Sequence, residues 1–268
     1  MEPDALTLAD FWELWAHLDR LLPMDGVGQQ WPQAAAVFGA SGGIGAALTH
    51  AMAKRGVGTI YAGSRKGEGP DAAGVVPFTF DLTNEASIAN AAARMRDNPP
   101  ELVIVATGIL TLADGTGPER TYKKLDGAAM DEVFALNTIG PAMIAKHMLP
   151  LLPRNRRAVF AALSARVGSI SDNGLGGWHS YRASKAALNM LLKNFAIEMG
   201  RTHKEAVVVG LHPGTVDSAL SEPFQSGLPD GQLTEPADAA ASLLNVLDEI
   251  GPGESGKVLD WKGEEVPA

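Results

Sequence analysis

There is no cysteine in this 268-residue chain. That excludes disulfides, a thiolate nucleophile and thiolate metal ligands. It also fits a reducing compartment, so a cytoplasmic location is expected. No apolar run approaches the ~18 residues of a membrane-spanning helix. Basic runs are absent too: 22 Lys and Arg stand against 31 Asp and Glu, for a net charge of −9. Nucleic acid and anionic membrane are therefore not the expected partners. The N-terminus has acidic residues and no basic flank, unlike a secretory signal. Aromatic residues are scarce, at 6%, and only three are tyrosines. What is present is ordinary for a folded globular chain, 46% hydrophobic and 20% charged, enough for one large α/β domain or two small ones.

From Ala34 onward, strand-like apolar runs alternate with helical periodicity. Strands are expected at Ala34–Phe38, Gly58–Ala62, Val75–Phe80, Leu102–Thr107, Ala158–Leu163, Val207–Leu211 and Lys257–Asp260. Helices are expected at Ile44–Arg55, Glu85–Arg96, Met130–Leu152, Tyr181–Arg201 and Pro236–Ile250, with Pro141 kinking the third. This alternation predicts an α/β fold, a mostly parallel sheet of about seven strands with helices on both faces. The first strand runs into Gly39-Ala40-Ser41-Gly42-Gly43-Ile44-Gly45 and then a helix. In that context, glycines let backbone amides approach a pyrophosphate, and the helix N-terminus attracts its charge. The spacing is G-x-x-x-G-x-G rather than G-x-G-x-x-G.

Residues 1–33 stand apart from this pattern. Leu8, Phe11, Trp12, Trp15, Leu18 and Leu22 recur at helical spacing behind a Thr7/Asp10 cap, ending near Pro23 and Gly26. The expectation is an amphipathic helix and linker, packed on its own domain or on another subunit, ahead of a single domain from residue 34 to 268. Glu13, Asp19 and the paucity of basic residues argue against a membrane-surface role.

Tyr181 and Lys185 stand four apart at the start of an expected helix, so their side chains share one face. A free tyrosine has a pKa near ~10. A neighbouring ammonium favours the phenolate and makes the hydroxyl a usable proton donor to a carbonyl.

The glycine loop and the Tyr-x-x-x-Lys pair together resemble the short-chain dehydrogenase/reductase family, from about Ala34 to the C-terminus. Further segments match in order: Asp81-Leu82 after the third strand, Ala106-Thr107-Gly108 after the fourth, Asn137 in Leu136-Asn137-Thr138, and His212-Pro213-Gly214-Thr215-Val216. The stretches Ser164 to Ile170, His212 to Gln225 and Gly256 to Trp261 look like its C-factor and carbonyl-reductase-like branch. The resemblance implies a Rossmann-type doubly wound sheet and hydride transfer between a nicotinamide cofactor and a carbonyl or alcohol, with no metal. It implies Tyr181 as acid/base, Lys185 lowering its pKa and holding the nicotinamide ribose, Ser164 polarising the substrate oxygen, and Asn137 supporting a water relay. It assigns the cofactor to Gly39, Ser41, Gly43, Ile44, Gly45, Asp81, Leu82, Ala106, Thr107, Gly108, Lys185, Pro213, Gly214, Thr215 and Val216. A homodimer or homotetramer paired through the helices at Met130–Leu152 and Tyr181–Arg201 is the expected assembly.

One departure stands out. The family's serine lies three residues before a glycine, and counting back from Gly168 gives Ala165. Ser164 is the first candidate for the role, Ser169 the second, and a site without a serine is the third reading. At the end of the second strand no carboxylate is present to hold ribose hydroxyls. Ser64 and Arg65 stand there instead and suit a 2′-phosphate, so NADPH is expected, with NADH use left open. A loop from Val216 to Leu233, with Ser218, Leu220, Pro223, Phe224, Gln225 and Gly227, reads as a substrate lid, and Trp178 as a wall of the same pocket. The principal functional reading is an NADPH-dependent oxidoreductase acting on a small-molecule carbonyl or alcohol, medium-sized and partly apolar. The alternative is a nucleotide-binding regulatory protein of the C-factor type with weak or absent catalysis.

Overall fold

The structure, a computed structural model, describes residues 31–268 apart from 227, 228 and 230. The expected N-terminal helix and the lid residue Gly227 lie outside the described residues. The chain divides into two units, Met1–Trp31 and Pro32–Ala268, and the sheet belongs to the second.

Seven strands form it: β1 (Ala34–Phe38), β2 (Thr59–Ser64), β3 (Val75–Thr79), β4 (Leu102–Val105), β5 (Ala158–Leu163), β6 (Ala206–His212) and β9 (Val258–Asp260). Their order is β3-β2-β1-β4-β5-β6-β9, and every neighbouring pair is parallel. Parallel strands are covered on both faces, which is why β1, β4 and β5 are uninterrupted apolar runs buried at every position. The β1–β2–β3 half winds outward in one direction and β4–β5–β6 in the other. The reversal lies between β1 and β4, and in sheets of this order ligands bind beyond the carboxyl ends of the strands at such a switch point.

The helices are α1 (Gly43–Lys54), α2 (Glu85–Ala93), α3 (Gly127–Phe134), α4 (Gly140–Met148), α5 (His179–Met199) and α6 (Pro236–Glu249). Helices α2, α4 and α5 close a core that includes Phe38, Phe78, Phe80, Ile88, Ile144, Met148, Phe160, Leu188 and Leu192. The Phe38 ring meets Phe78 and Phe80 edge-on at 5.3 and 5.1 Å. Helices α1 and α6 pack together, and Arg55 is paired with Asp248 at 2.7 Å between them. A two-stranded pair, β7 (Thr215–Val216) with β8 (Leu233–Thr234), is not anticipated by the sequence pattern.

The expected single helix over Met130–Leu152 is a correction. It is α3, a π-turn over Ala135–Ile139, α4, and a 3₁₀ turn over Leu149–Leu151. Pro141 supplies the reason. It has no N–H, and its ring crowds the carbonyl four residues back, at Asn137. The backbone widens instead, and the Gly140 N–H bonds to Ala135 O. No helix among the described residues is long and apolar enough to cross a membrane.

Candidate active site

The glycine loop turns sharply out of β1. Gly39 has φ +100°, and the amides of Gly39 and Ala40 both donate to Gly63 O at 2.9 and 2.8 Å. A side chain on Gly45 would collide with the Gly39 carbonyl, so only glycine lets α1 start this close to the loop. No side chain caps the N-terminus of α1 and no acid lies in its first turn. The amides of Gly43, Ile44 and Gly45 are therefore left for an external acceptor, and Ser41 is exposed beside them. Around this cradle stand Ala106, Thr107 and Gly108. The Thr107 side chain lies 3.1 Å from where a Cβ on Gly39 would sit, and its buried hydroxyl has no protein partner. The segment from Pro213 through Gly214 to β7 leads to Ser218, whose Cβ lies 3.3 Å from where a Cβ on Gly43 would stand. A free helix N-terminus, a Cβ-free cradle and an unanswered hydroxyl fit a diphosphate-bearing nucleotide.

At the adenine end the residues divide their labour differently from expectation. Ser64 is buried, and its hydroxyl donates to Glu68 O at 2.7 Å and accepts from Glu68 N at 2.9 Å. It closes a turn and does not offer a second free donor. Arg65 is exposed on that turn. Asp81 accepts from the Thr83 amide and hydroxyl at 2.9 and 2.8 Å. Those bonds hold its carboxyl below the usual range, with a further contribution from Arg65. Leu82 packs on Gly140.

Tyr181 and Lys185 share the inner face of α5, with the ammonium 5.8 Å from the ring centroid. Both are buried. Burial pushes the Tyr181 hydroxyl up to about 12 and the Lys185 ammonium down to about 8. The spacing in the sequence leads one to expect a lowered tyrosine, and here desolvation outweighs the neighbouring charge. Lys185 Nζ donates to Leu163 O at 2.8 Å. Asn137 sits in the π-turn. Its Oδ1 accepts from Ile109 N at 2.8 Å, and its Nδ2 donates to Ile109 O at 2.9 Å and Ser184 Oγ at 3.3 Å. Gly108 lies between, where a Cβ would stand 3.2 Å from Asn137 Oδ1 and 3.5 Å from Lys185 Nζ. Tyr181, Lys185, Asn137 and Gly108 are thus brought together.

The two serines have partners of their own. Ser164 is buried and donates to Asn189 Oδ1 at 2.6 Å. Ser169 accepts from the Asp172 amide at 3.0 Å. No hydrogen bond joins either to Tyr181 among the described residues. Asn189 follows Lys185 by one helical turn, a spacing that sequence alone displays but that gains meaning only from the contact with β5.

A cleft of about 450 Å³ opens beside Tyr181, with Leu110, Leu112, Ala129 and Val133 among its apolar lining residues. Glu119 also lines it, and nothing in the sequence singles it out. Its carboxylate accepts from Ser180 N at 3.1 Å and from Ser180 Oγ, and its carbonyl accepts from Trp178 N. Burial pushes the Glu119 carboxyl up, but the bonds from Ser180 outweigh it and the net direction is down. Trp178, the one non-glycine residue with positive φ (50°) among the described residues, turns the chain into α5. Its ring meets Phe224 at 5.1 Å and Tyr181 at 6.2 Å.

A family model described as short chain dehydrogenase matches residues 33–228. A 1-hydroxy-2-glutathionyl-2-methyl-3-butene dehydrogenase of Rhodococcus sp. is 32% identical over 224 residues, covering 82% of this chain and 93% of that protein. The C-signal of Myxococcus xanthus is 36% identical over 143 residues, covering 53% of this chain and 81% of its own. The solved structure of an NADPH-bound carbonyl reductase from chicken fatty liver matches with a TM-score of 0.75 at 25% identity, over 88% of this chain and 94% of that one.

Proposed function

This chain belongs to the short-chain dehydrogenase family, and from that premise we propose that it is an NADPH-dependent reductase of carbonyl compounds, or the corresponding alcohol dehydrogenase. What carries the proposal is the buried Tyr181–Lys185 pair next to Gly108 and Asn137, at the edge of the glycine-loop crevice. The nicotinamide, when bound, supplies or accepts hydride at the carbonyl carbon. Tyr181, held protonated by burial, gives its hydroxyl proton to the carbonyl oxygen as that carbon is reduced, and takes it back in the oxidative direction. The Lys185 ammonium favours the phenolate left behind and takes a ribose hydroxyl of the cofactor as a further acceptor. Asn137 holds the loop at Ile109 in place and supports a proton relay by water. Ser164 polarises the substrate oxygen only after releasing Asn189. Arg65 takes the 2′-phosphate, which favours NADPH. Trp178 and Phe224 form an apolar wall for the substrate. The exposed apolar residues Met190 and Ile197 on α5 support a homodimer or homotetramer.

The test is NADPH oxidation measured over a panel of aldehydes, ketones and quinones, with Tyr181→Phe as the comparison. Loss of the proton donor is expected to lower turnover by roughly 10²–10⁴, while NADPH binding, followed by titration, is retained. Turnover unchanged in the variant would sink the proposal.

A further inference from the structure

The cleft beside Tyr181 carries, among the described residues, two cations without an ion pair, in a protein whose net charge is −9. Four charged side chains line it: Glu119, Arg120, Lys124 and Asp126. The two acids are already answered. Glu119 accepts from Ser180 at the start of α5. Asp126 is the N-cap of α3 and accepts from Ala129 N at 2.9 Å. Each carboxylate therefore faces a helix N-terminus, whose partial positive charge it offsets. The two cations have no such counterpart: among the described residues, neither Arg120 nor Lys124 makes an ion pair. Their backbone is nevertheless fixed. Trp178 N donates to Glu119 O next to Arg120, and Lys124 closes the 3₁₀ turn Tyr122–Lys124 by donating to Thr121 O at 2.9 Å.

We propose that this cleft takes a carbonyl substrate that carries a carboxylate, with Arg120 and Lys124 as the residues that select it. An arginine matches a carboxylate with two parallel N–H donors, and a lysine adds a point charge. Beneath the rim, Leu110 and Val133 accept an apolar body that joins the anionic end to the carbonyl at Tyr181. The substrate class is thus an oxo-acid or aromatic aldehyde acid with an apolar middle, and not a neutral lipid aldehyde.

This inference rests on Tyr181 being the reacting end of the site, so the experiment separates the two. The probes are 4-formylbenzoate and its methyl ester, with the full-length protein, wild type and Arg120→Ala/Lys124→Ala. Binding is measured by calorimetry, which needs no turnover, and NADPH-dependent reduction is measured in parallel. The acid is expected to bind at least tenfold more tightly than the ester. The double variant should lose that preference while its affinity for the ester stays within twofold, and added salt should narrow the preference in wild type as exposed charges are screened. Equal affinity for acid and ester in wild type, or a preference for the acid that survives the double substitution, overturns the inference, and reduction of both compounds by both proteins would then leave the reductase proposal standing. Charge-dependent binding of the acid without reduction of either compound upholds the anion-binding cleft and counts against the reductase.

Discussion

Lys185 is a charge kept where water cannot reach it. Its folded-state pKa, about 8, lies below the ordinary 10.5, so the unfolded chain binds the proton more readily. The destabilisation is therefore complete below pH ~8 and fades as pH rises toward the unfolded value; it amounts to about 3 kcal/mol at one pKa unit per ~1.4 kcal/mol. Lys185→Met removes that charge but leaves Leu163 O without its donor, which takes back about 1–3 kcal/mol. The variant is expected to melt ~2–4 °C higher than wild type at pH 7, to lose that gain at pH 9.5, where only about 1.4 kcal/mol of the penalty is left, and to be inactive. Melting curves at both pH values check this, and a variant less stable than wild type at pH 7 would show that the charge is well solvated by its bond to β5. Arg65 offers a second test at this scale. Arg65→Asp should weaken NADPH binding by about one to two decades while NADH binding holds or improves. An unchanged ratio of the two affinities removes Arg65 from the phosphate site. Both residues stand out in the sequence because their signals are local, a four-residue spacing and a loop position after a strand. Glu119 and Asn189 do not, because their meaning lies in contacts 61 and 25 positions away.

Elements are legible where burial is two-sided. Strands β1 and β5 fall on the expected residues, since a continuous apolar run has only one way to sit in the middle of a parallel sheet. The long helix before β5 is not, because periodicity continues through a π-turn while the hydrogen bonds change. Pro141 is the visible sign, and its effect falls four residues earlier, on Asn137. Pro141→Ala restores an amide that can bond to the Asn137 carbonyl and lets the α-helical ladder close. Asn137 would then rotate off Ile109. Turnover is expected to fall at least fivefold, with the melting temperature within about 4 °C of wild type, the equivalent of roughly 1 kcal/mol. Circular dichroism and steady-state kinetics on the same sample decide it: full activity would mean that the contacts to Ile109 and Ser184 hold the π-turn without the proline.

For the whole molecule, the sequence conveys the layered architecture but not which surfaces stay uncovered. Met190 and Ile197 are seven apart on α5 and both more than half exposed, at 62% and 52%, and Ile139 at the π-turn is 55% exposed. Such residues on a long helix suit a partner subunit. Met190→Glu with Ile197→Glu is expected to reduce the mass in solution, by light scattering, to that of a monomer while NADPH binding persists. An unchanged mass would rule this face out as a subunit contact.

The strand order carries a consequence for how the chain acquires its shape. No two neighbours in the seven-stranded sheet are joined by a hairpin, so no strand pair can form locally and then grow. β1 needs β4 on one side, and their first residues, Ala34 and Leu102, are 68 positions apart. Such non-local pairing incurs loop-closure entropy before any contact offsets it, and it slows folding. On a ribosome adding roughly 5–20 residues per second, the apolar β1 would wait several seconds for the strand that covers its second edge. During that interval an exposed, uncharged edge is open to pairing with another nascent chain, so the yield of folded protein should depend on chaperone supply and on the rate of synthesis more than on the stability of the finished sheet.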